Sequence, residues 1–202
     1  MSENYIASAA QIFTLFFVML GPLKMLGPFA KASQSLSEAE IRKTAWRSTG
    51  LATLAAITGG FVGSFLLGKW GIPVTTLELT GGIIFLIAAL LIIFRPPAAA
   101  SSEPAPPAKP PTVAFSMIIT TYGMAVVIML LSLSQSPQRT LLVLGLLLLV
   151  MLLNLLSMMN IRRLTGPAGA LAMGALGTAL SVLQVALALQ MILMAWQAGK
   201  PF

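Results

Sequence analysis

Two ionisable residues stand where ionisation is expensive: Lys24 inside the first long apolar block and Glu78 inside the third. A lysine within hydrocarbon costs about 2.5–3.5 kcal/mol on insertion scales, so by default it marks a functional site. The plainer alternative is that Lys24, about 9 Å from the nearer end of a continuous helix at roughly 1.5 Å per residue, snorkels its ammonium to the interface. Glu78 is the one acidic residue well inside a block. It faces either an aqueous cavity, where it would carry a proton, or Lys24, which requires one of the two helices to be broken or re-entrant. A third polar group, Thr120, Thr121 and Tyr122 followed by Gly123, offers hydroxyls that bind a polar ligand or bond back to carbonyls of their own helix. Asn154, Gln184 and Gln190 read as interhelical hydrogen-bonding glue.

The neighbours of Lys24 favour a site. Gly21 with Pro22 and Gly27 with Pro28 are two helix-breaking pairs, because proline lacks a backbone donor and crowds the preceding turn while glycine eases unwinding. Unwound backbone at membrane depth survives only where protein or a water-filled cavity satisfies it. A half-helix end there would present amides to a carboxylate, with Lys24 adding charge; a simple proline kink is the competing reading.

Much other chemistry is excluded. The chain has no Cys and no His, which removes disulfides, thiol redox, imidazole-ligated haem, the usual zinc sites and a His-based triad. No cofactor and no metal is expected; the twelve Met residues are apolar filling. The acids, bases and metal ligands of a membrane enzyme are missing, so no enzymatic activity is expected. Gly63, Gly68 and Lys69 match P-loop spacing, but Trp70 stands where a Mg-binding Ser or Thr is needed, and the match reads as coincidence.

The elements that must hold these residues follow from hydropathy. The chain is 57% hydrophobic and 8% charged, too few charges to coat a water-facing surface. Its apolar residues fall into six long blocks, about Ala9–Ala30, Ala45–Leu67, Val74–Phe94, Thr112–Leu133, Leu141–Met158 and Ala168–Trp196, each about the length that crosses a bilayer as a helix. The last is expected to begin nearer Ala172. Residues Met1 to Ile6 carry Glu3 and no basic residue, unlike a cleavable signal, so the first block is read as a retained helix. Between the third and fourth blocks, residues 96–111 are rich in Pro, Ala and Ser and read as an extended tether or a docking segment. It separates two three-helix halves, 1–95 and 112–202. Ser37 with Glu40 has capping-box spacing, which predicts a short helix or an early start of the second span.

The net charge of +7 sets topology and does not suggest nucleic acid, because the basic residues sit in short loops between apolar blocks. With the N-terminus outside, the inner segments hold Lys31, Arg42, Lys43, Arg47, Arg95, Lys109, Arg162 and Arg163, and the outer ones Lys69, Arg139 and Lys200. Both termini are therefore expected on the non-cytoplasmic side.

The halves overlay at an offset of about 99 to 100 residues, placing Gly21, Pro22, Leu23 and Lys24 over Thr120, Thr121, Tyr122 and Gly123. Three spans is an odd number, so the halves insert with opposite orientations, an arrangement common in secondary transporters. The expected fold is an all-α integral membrane protein of six transmembrane helices in two inverted three-helix repeats, its first and fourth helices interrupted. Gly59 with Gly63, Gly81 with Gly82, and Gly174 with Gly177 are candidate close-packing surfaces.

Several stretches resemble the MarC family of bacterial inner-membrane proteins, related to LysE-type exporters. They are Gly21-Pro22-Leu23, Gly27-Pro28-Phe29, the Leu36, Ser37, Glu40, Arg42 loop, Gly71-Ile72-Pro73, Leu79-Thr80-Gly81-Gly82, Thr120 to Gly123, Leu164-Thr165-Gly166-Pro167 and Ala188-Leu189-Gln190. The resemblance implies a multi-pass inner-membrane protein, with neutral amino-acid transport among relatives. Gly21 and Lys24 depart from that family's first motif, and Glu78 stands where it commonly has Arg. The expected function is alternating-access transport of a small neutral or zwitterionic solute, with Gly21, Pro22, Lys24, Glu78, Thr120, Thr121, Tyr122 and Gly123 as solute-site candidates. The expected partners are the lipid bilayer and that solute, with no nucleic acid. The runner-up is a non-transporting subunit or scaffold of a larger membrane complex, and self-association is open in either case.

Overall fold

The computed structural model describes residues 8–94, 115–116, 118–134, 136–164 and 167–198; the proline-rich tether lies outside them. Among the described residues every regular element is a helix. The longer elements are α1 (Ala9–Leu20), α2 (Pro22–Ala32), α3 (Glu38–Lys69), α4 (Val74–Phe94), α5 (Thr121–Ser132), α6 (Pro137–Met159) and α8 (Pro167–Ala198), with a four-residue turn, α7 (Ile161–Leu164), between the last two.

Local chemistry sets most boundaries. Ser8 caps α1 with a reciprocal bond from its own N–H to Gln11 Oε1 at 2.8 Å. Ser37 does the same for α3 through Glu40, so the second span starts at Glu38 and not at Ala45, giving a helix of 32 residues. Its far end is stopped at Gly71, whose φ of +65° is a left-handed conformation that glycine adopts without a Cβ penalty. Pro167 takes the first position of α8, where its missing N–H costs nothing; the helix begins there and not nearer Ala172.

The first block is two helices and not one. Proline disfavours the helical region for the residue before it, and Gly21 is extended (φ −76°, ψ 173°) between α1 and α2. The second expected break does not occur: α2 runs through Gly27 and Pro28 to Ala32. Buried Met25, Leu26 and Phe29 hold that helix against its neighbours, and surrounding protein makes an interior proline tolerable in a membrane helix. In the second half Phe115, Ser116 and Ile118 are helical, Ile119 and Thr120 are not, and α5 begins at Thr121. The fourth block is thus interrupted too.

Among the described residues three helical segments are long and apolar enough to cross a membrane: Ala9–Ala32 taken together, Glu38–Lys69 and Pro137–Met159. The surface fits that solvent. On α6 one face buries Val143, Leu147, Val150, Asn154 and Met158, while the opposite face leaves Leu148, Leu152 and Leu156 at 49%, 49% and 46% exposure. A helix apolar on both faces is at home in hydrocarbon or deep in a core.

The helices pack around Phe16, Leu20, Phe85, Val127, Leu147 and Met151. The most extensive pairing is α4 with α8; α3 lies against α5 and α6, and α1 against α6 and α5. Close approach uses glycine: a Cβ on Gly60 would come within 2.6 Å of Val127, one on Gly63 within 2.5 Å of Ile128, and one on Gly59 within 3.0 Å of Met124 Sδ. Gly174 and Gly177 lie in α8, but their surroundings fall outside the described residues. At the end where α2 stops and α3 starts, Arg162 donates to the Leu36 carbonyl at 2.9 Å and pairs with Glu38 at 3.5 Å. Lys31, Arg42, Lys43, Arg47 and Arg163 are exposed around the same loops.

Candidate functional site

The break at Gly21 divides a 24-residue segment into helices of 12 and 11 residues. At roughly 1.5 Å per residue each is under 20 Å long, so neither is long enough to cross a 30 Å hydrocarbon layer alone, and the break falls near the middle of the segment. Breaking a helix frees carbonyls at the end of the first piece and amides at the start of the second.

One freed carbonyl is accounted for. Asn154, fully buried on α6, donates its amide Nδ2 to the Leu20 oxygen at 2.6 Å. The Oδ1 of the same side chain has no hydrogen-bond partner among the described residues. At the start of α2 the N-cap residue, Gly21, has no side chain to offer as a cap. Lys24 lies in the first turn of α2; its side chain, like those of Thr121 and Tyr122, is outside the described residues, and so is any pairing of Lys24 with Glu78.

The second break is built differently. Thr120 is extended (φ −108°, ψ 154°) and caps α5, its hydroxyl accepting from the Gly123 N–H at 3.2 Å. The two breaks meet: a Cβ on Gly123 would run into Leu20 Cδ2 and lie 2.9 Å from Thr120 Oγ1. Leu20, which precedes the first break, thus packs against Gly123 beside the second.

Glu78 belongs elsewhere. It is half-buried and lines a small cavity of about 30 Å³ with Gln11 of α1 and Gln190 of α8, walled by Leu15, Met129 and Leu187. That space takes a water molecule and no larger solute. A larger, open apolar groove of about 280 Å³ runs between α3, α4 and α5, bordered by Gly63, Trp70, Leu77, Thr80 and Ile128. Met129 lines both. Among the described residues no acidic cluster could hold a metal ion.

Sequence reasoning missed Gln11 as a neighbour of Glu78, and for Asn154 it saw glue but not the acceptor left over. The signal for Asn154 was its isolation in the Leu-rich run Leu141 to Met158. Gln184, also read as glue, donates to the Phe85 carbonyl at 3.2 Å, a pair 99 residues apart. No family model, curated protein or solved structure matches the chain.

Proposed function

We infer that the chain is a six-span transporter of a small neutral solute, working by alternating access between two inverted three-helix halves in a bacterial inner membrane. The observation that carries this reading is the pair of breaks at Gly21 and Thr120, 99 positions apart and packed against each other. Unwound backbone at the middle of a bilayer is costly unless it serves a cavity or a ligand, and paired interruptions in corresponding spans are the best pointer to a transporter's binding site. The Gln184–Phe85 bond joins two positions at that same offset. This fits a pseudo-twofold axis passing between α4 and α8. The exposed basic residues around Leu36 and Arg162 fit a cytoplasmic face there, with both termini on the other. The MarC-like stretches point the same way.

Reconstituted into liposomes, the protein is expected to give saturable flux of neutral amino acids. Losing a charge-assisted contact worth about 1.5–3 kcal/mol lowers flux at least about tenfold, the effect expected of Lys24→Ala; Glu78→Gln, which removes a titratable group from the water-sized cavity beside Gln11 and Gln190, is expected to lower flux by removing a proton carrier. Unchanged flux in either variant removes that residue from the mechanism. Absence of saturable flux in the wild type, with a stoichiometric partner on purification from native membrane, would favour the scaffold reading instead.

A further inference from the structure

We propose that Asn154 is a solute-recognition residue, its free carboxamide oxygen accepting an N–H of the solute's ammonium while the uncapped start of α2 receives the solute's anionic group. The inference rests on the transport reading and names the chemistry that reading leaves open. A buried amide oxygen without a partner costs about 1–3 kcal/mol, and such groups are rare in folded proteins. Asn154 has zero exposure, and its Nδ2 is already committed to Leu20 at 2.6 Å. That bond fixes the amide beside Leu20, the residue that precedes Gly21, so the Oδ1, without a partner among the described residues, lies close to the break between α1 and α2.

The opposite wall of that gap is a donor. Pro22 has no N–H, and Gly21 has no side chain with which to cap the amides that follow it, which carry the positive end of the helix dipole. Lys24 sits in the same turn. A bare metal cation at Oδ1 would meet that positive end. A bare anion would satisfy the amides and leave Oδ1 facing an acceptor. A ligand carrying N–H donors and an anionic group a few ångströms apart satisfies both walls, which describes the backbone of an α-amino acid. The equivalent position in the second half is closed, because the Thr120 hydroxyl already caps the start of α5 through Gly123. Of these two helix starts, the one in the first half lacks a cap from its own N-cap residue.

The test uses purified full-length protein in detergent and the probes L-alanine, propionate, which lacks the ammonium, and alaninamide, which lacks the carboxylate. Wild type is expected to bind L-alanine at least about tenfold more tightly than either analogue, because a site built to bond a solute's N–H rejects a solute without it. Asn154→Ala should bring the L-alanine to propionate ratio within about threefold, and Asn154→Asp, which keeps an acceptor but loses the amide donor to Leu20, should preserve it. A merely structural Asn154 gives the reverse: both variants lose stability alike and neither changes the ratio. If Asn154→Ala does not fold, Asn154→Leu, which keeps the volume and removes both amide groups, takes its place and should likewise bring the ratio within about threefold, a full ratio overturning the proposal. Equal binding of L-alanine and propionate by wild type, no binding of L-alanine, or a full ratio in Asn154→Ala overturns the proposal. Saturable flux of other neutral amino acids alongside any of these results would leave the transport reading standing and sink this inference alone.

Discussion

Gly21→Ala is expected to cost the protein most of its folded yield. The backbone at Gly21 is extended, a conformation any residue adopts, so the objection is one of space. A Cβ there would run into the Phe17 carbonyl oxygen and lie 2.8 Å from its carbon, and those are backbone atoms of α1 that cannot swing away like a side chain. Relief requires α1 and α2 to move apart, and the Leu20 carbonyl held by Asn154 at 2.6 Å moves with them. Overpacking costs about 1–3 kcal/mol. Stranding a buried carbonyl adds about 1–3 kcal/mol. Thermal unfolding in detergent, followed by the fraction that stays monodisperse, reads the loss. Gly27→Ala is the matched control: Gly27 is exposed within α2 with nothing within 4 Å of a new Cβ. It should be neutral or stabilise by about 0.4–1 kcal/mol through the unfolded chain. Equal melting of the two variants would show that the break does not need glycine.

Gly82→Leu should be nearly as damaging, for a related reason at the most extensive helix pairing. A Cβ on Gly82 would lie 2.7 Å from Ile192 Cγ1 and 3.1 Å from both the Ala188 oxygen and the Ile192 nitrogen. The side-chain contact can yield, but the two backbone contacts cannot without separating α4 from α8. Membrane helices gain stability from such close backbone approach, and overfilling it with a leucine is expected to cost about 3 kcal/mol or more. Gly81 tests the distinction from the next position. Its Cβ would meet Met129 Sδ at 2.9 Å and Met191 Cε at 3.3 Å, the ends of flexible thioether chains, so Gly81→Ala should cost under about 1 kcal/mol. Melting of Gly81→Ala as low as that of Gly82→Leu would mean that α4 and α8 are not packed as described.

What could be read from the residues alone was the chemistry that acts over a turn or two. Proline's missing donor after Gly21 and the Ser37 and Glu40 box are covalent or near-neighbour effects, and they fixed the first break and the start of the second span. Gly27 and Pro28 show the limit of the same rule. The local propensity to break was there, but the burial of Met25, Leu26 and Phe29 outweighed it, and burial is a tertiary property. The site depended on long-range choices even more. Asn154 and Leu20 are 134 residues apart, and hydropathy says that an asparagine in a leucine-rich helix needs a partner without saying which. Glu78 stood out as an expensive group, yet Gln11 and Gln190, which line the same cavity, come from helices at opposite ends of the chain. A polar side chain near the edge of an apolar block looks, in the sequence, like an ordinary interface residue.

Single-cysteine accessibility in sealed membranes tests the inverted arrangement most directly, because the chain has no cysteine of its own. Arg42→Cys and Arg163→Cys should react with a membrane-impermeant maleimide only from the cytoplasmic side, and Lys69→Cys and Gln138→Cys only from the opposite side. Arg42→Cys and Arg163→Cys reacting from different sides of the membrane would contradict two halves inserted in opposite directions, and with them the meeting of the two breaks.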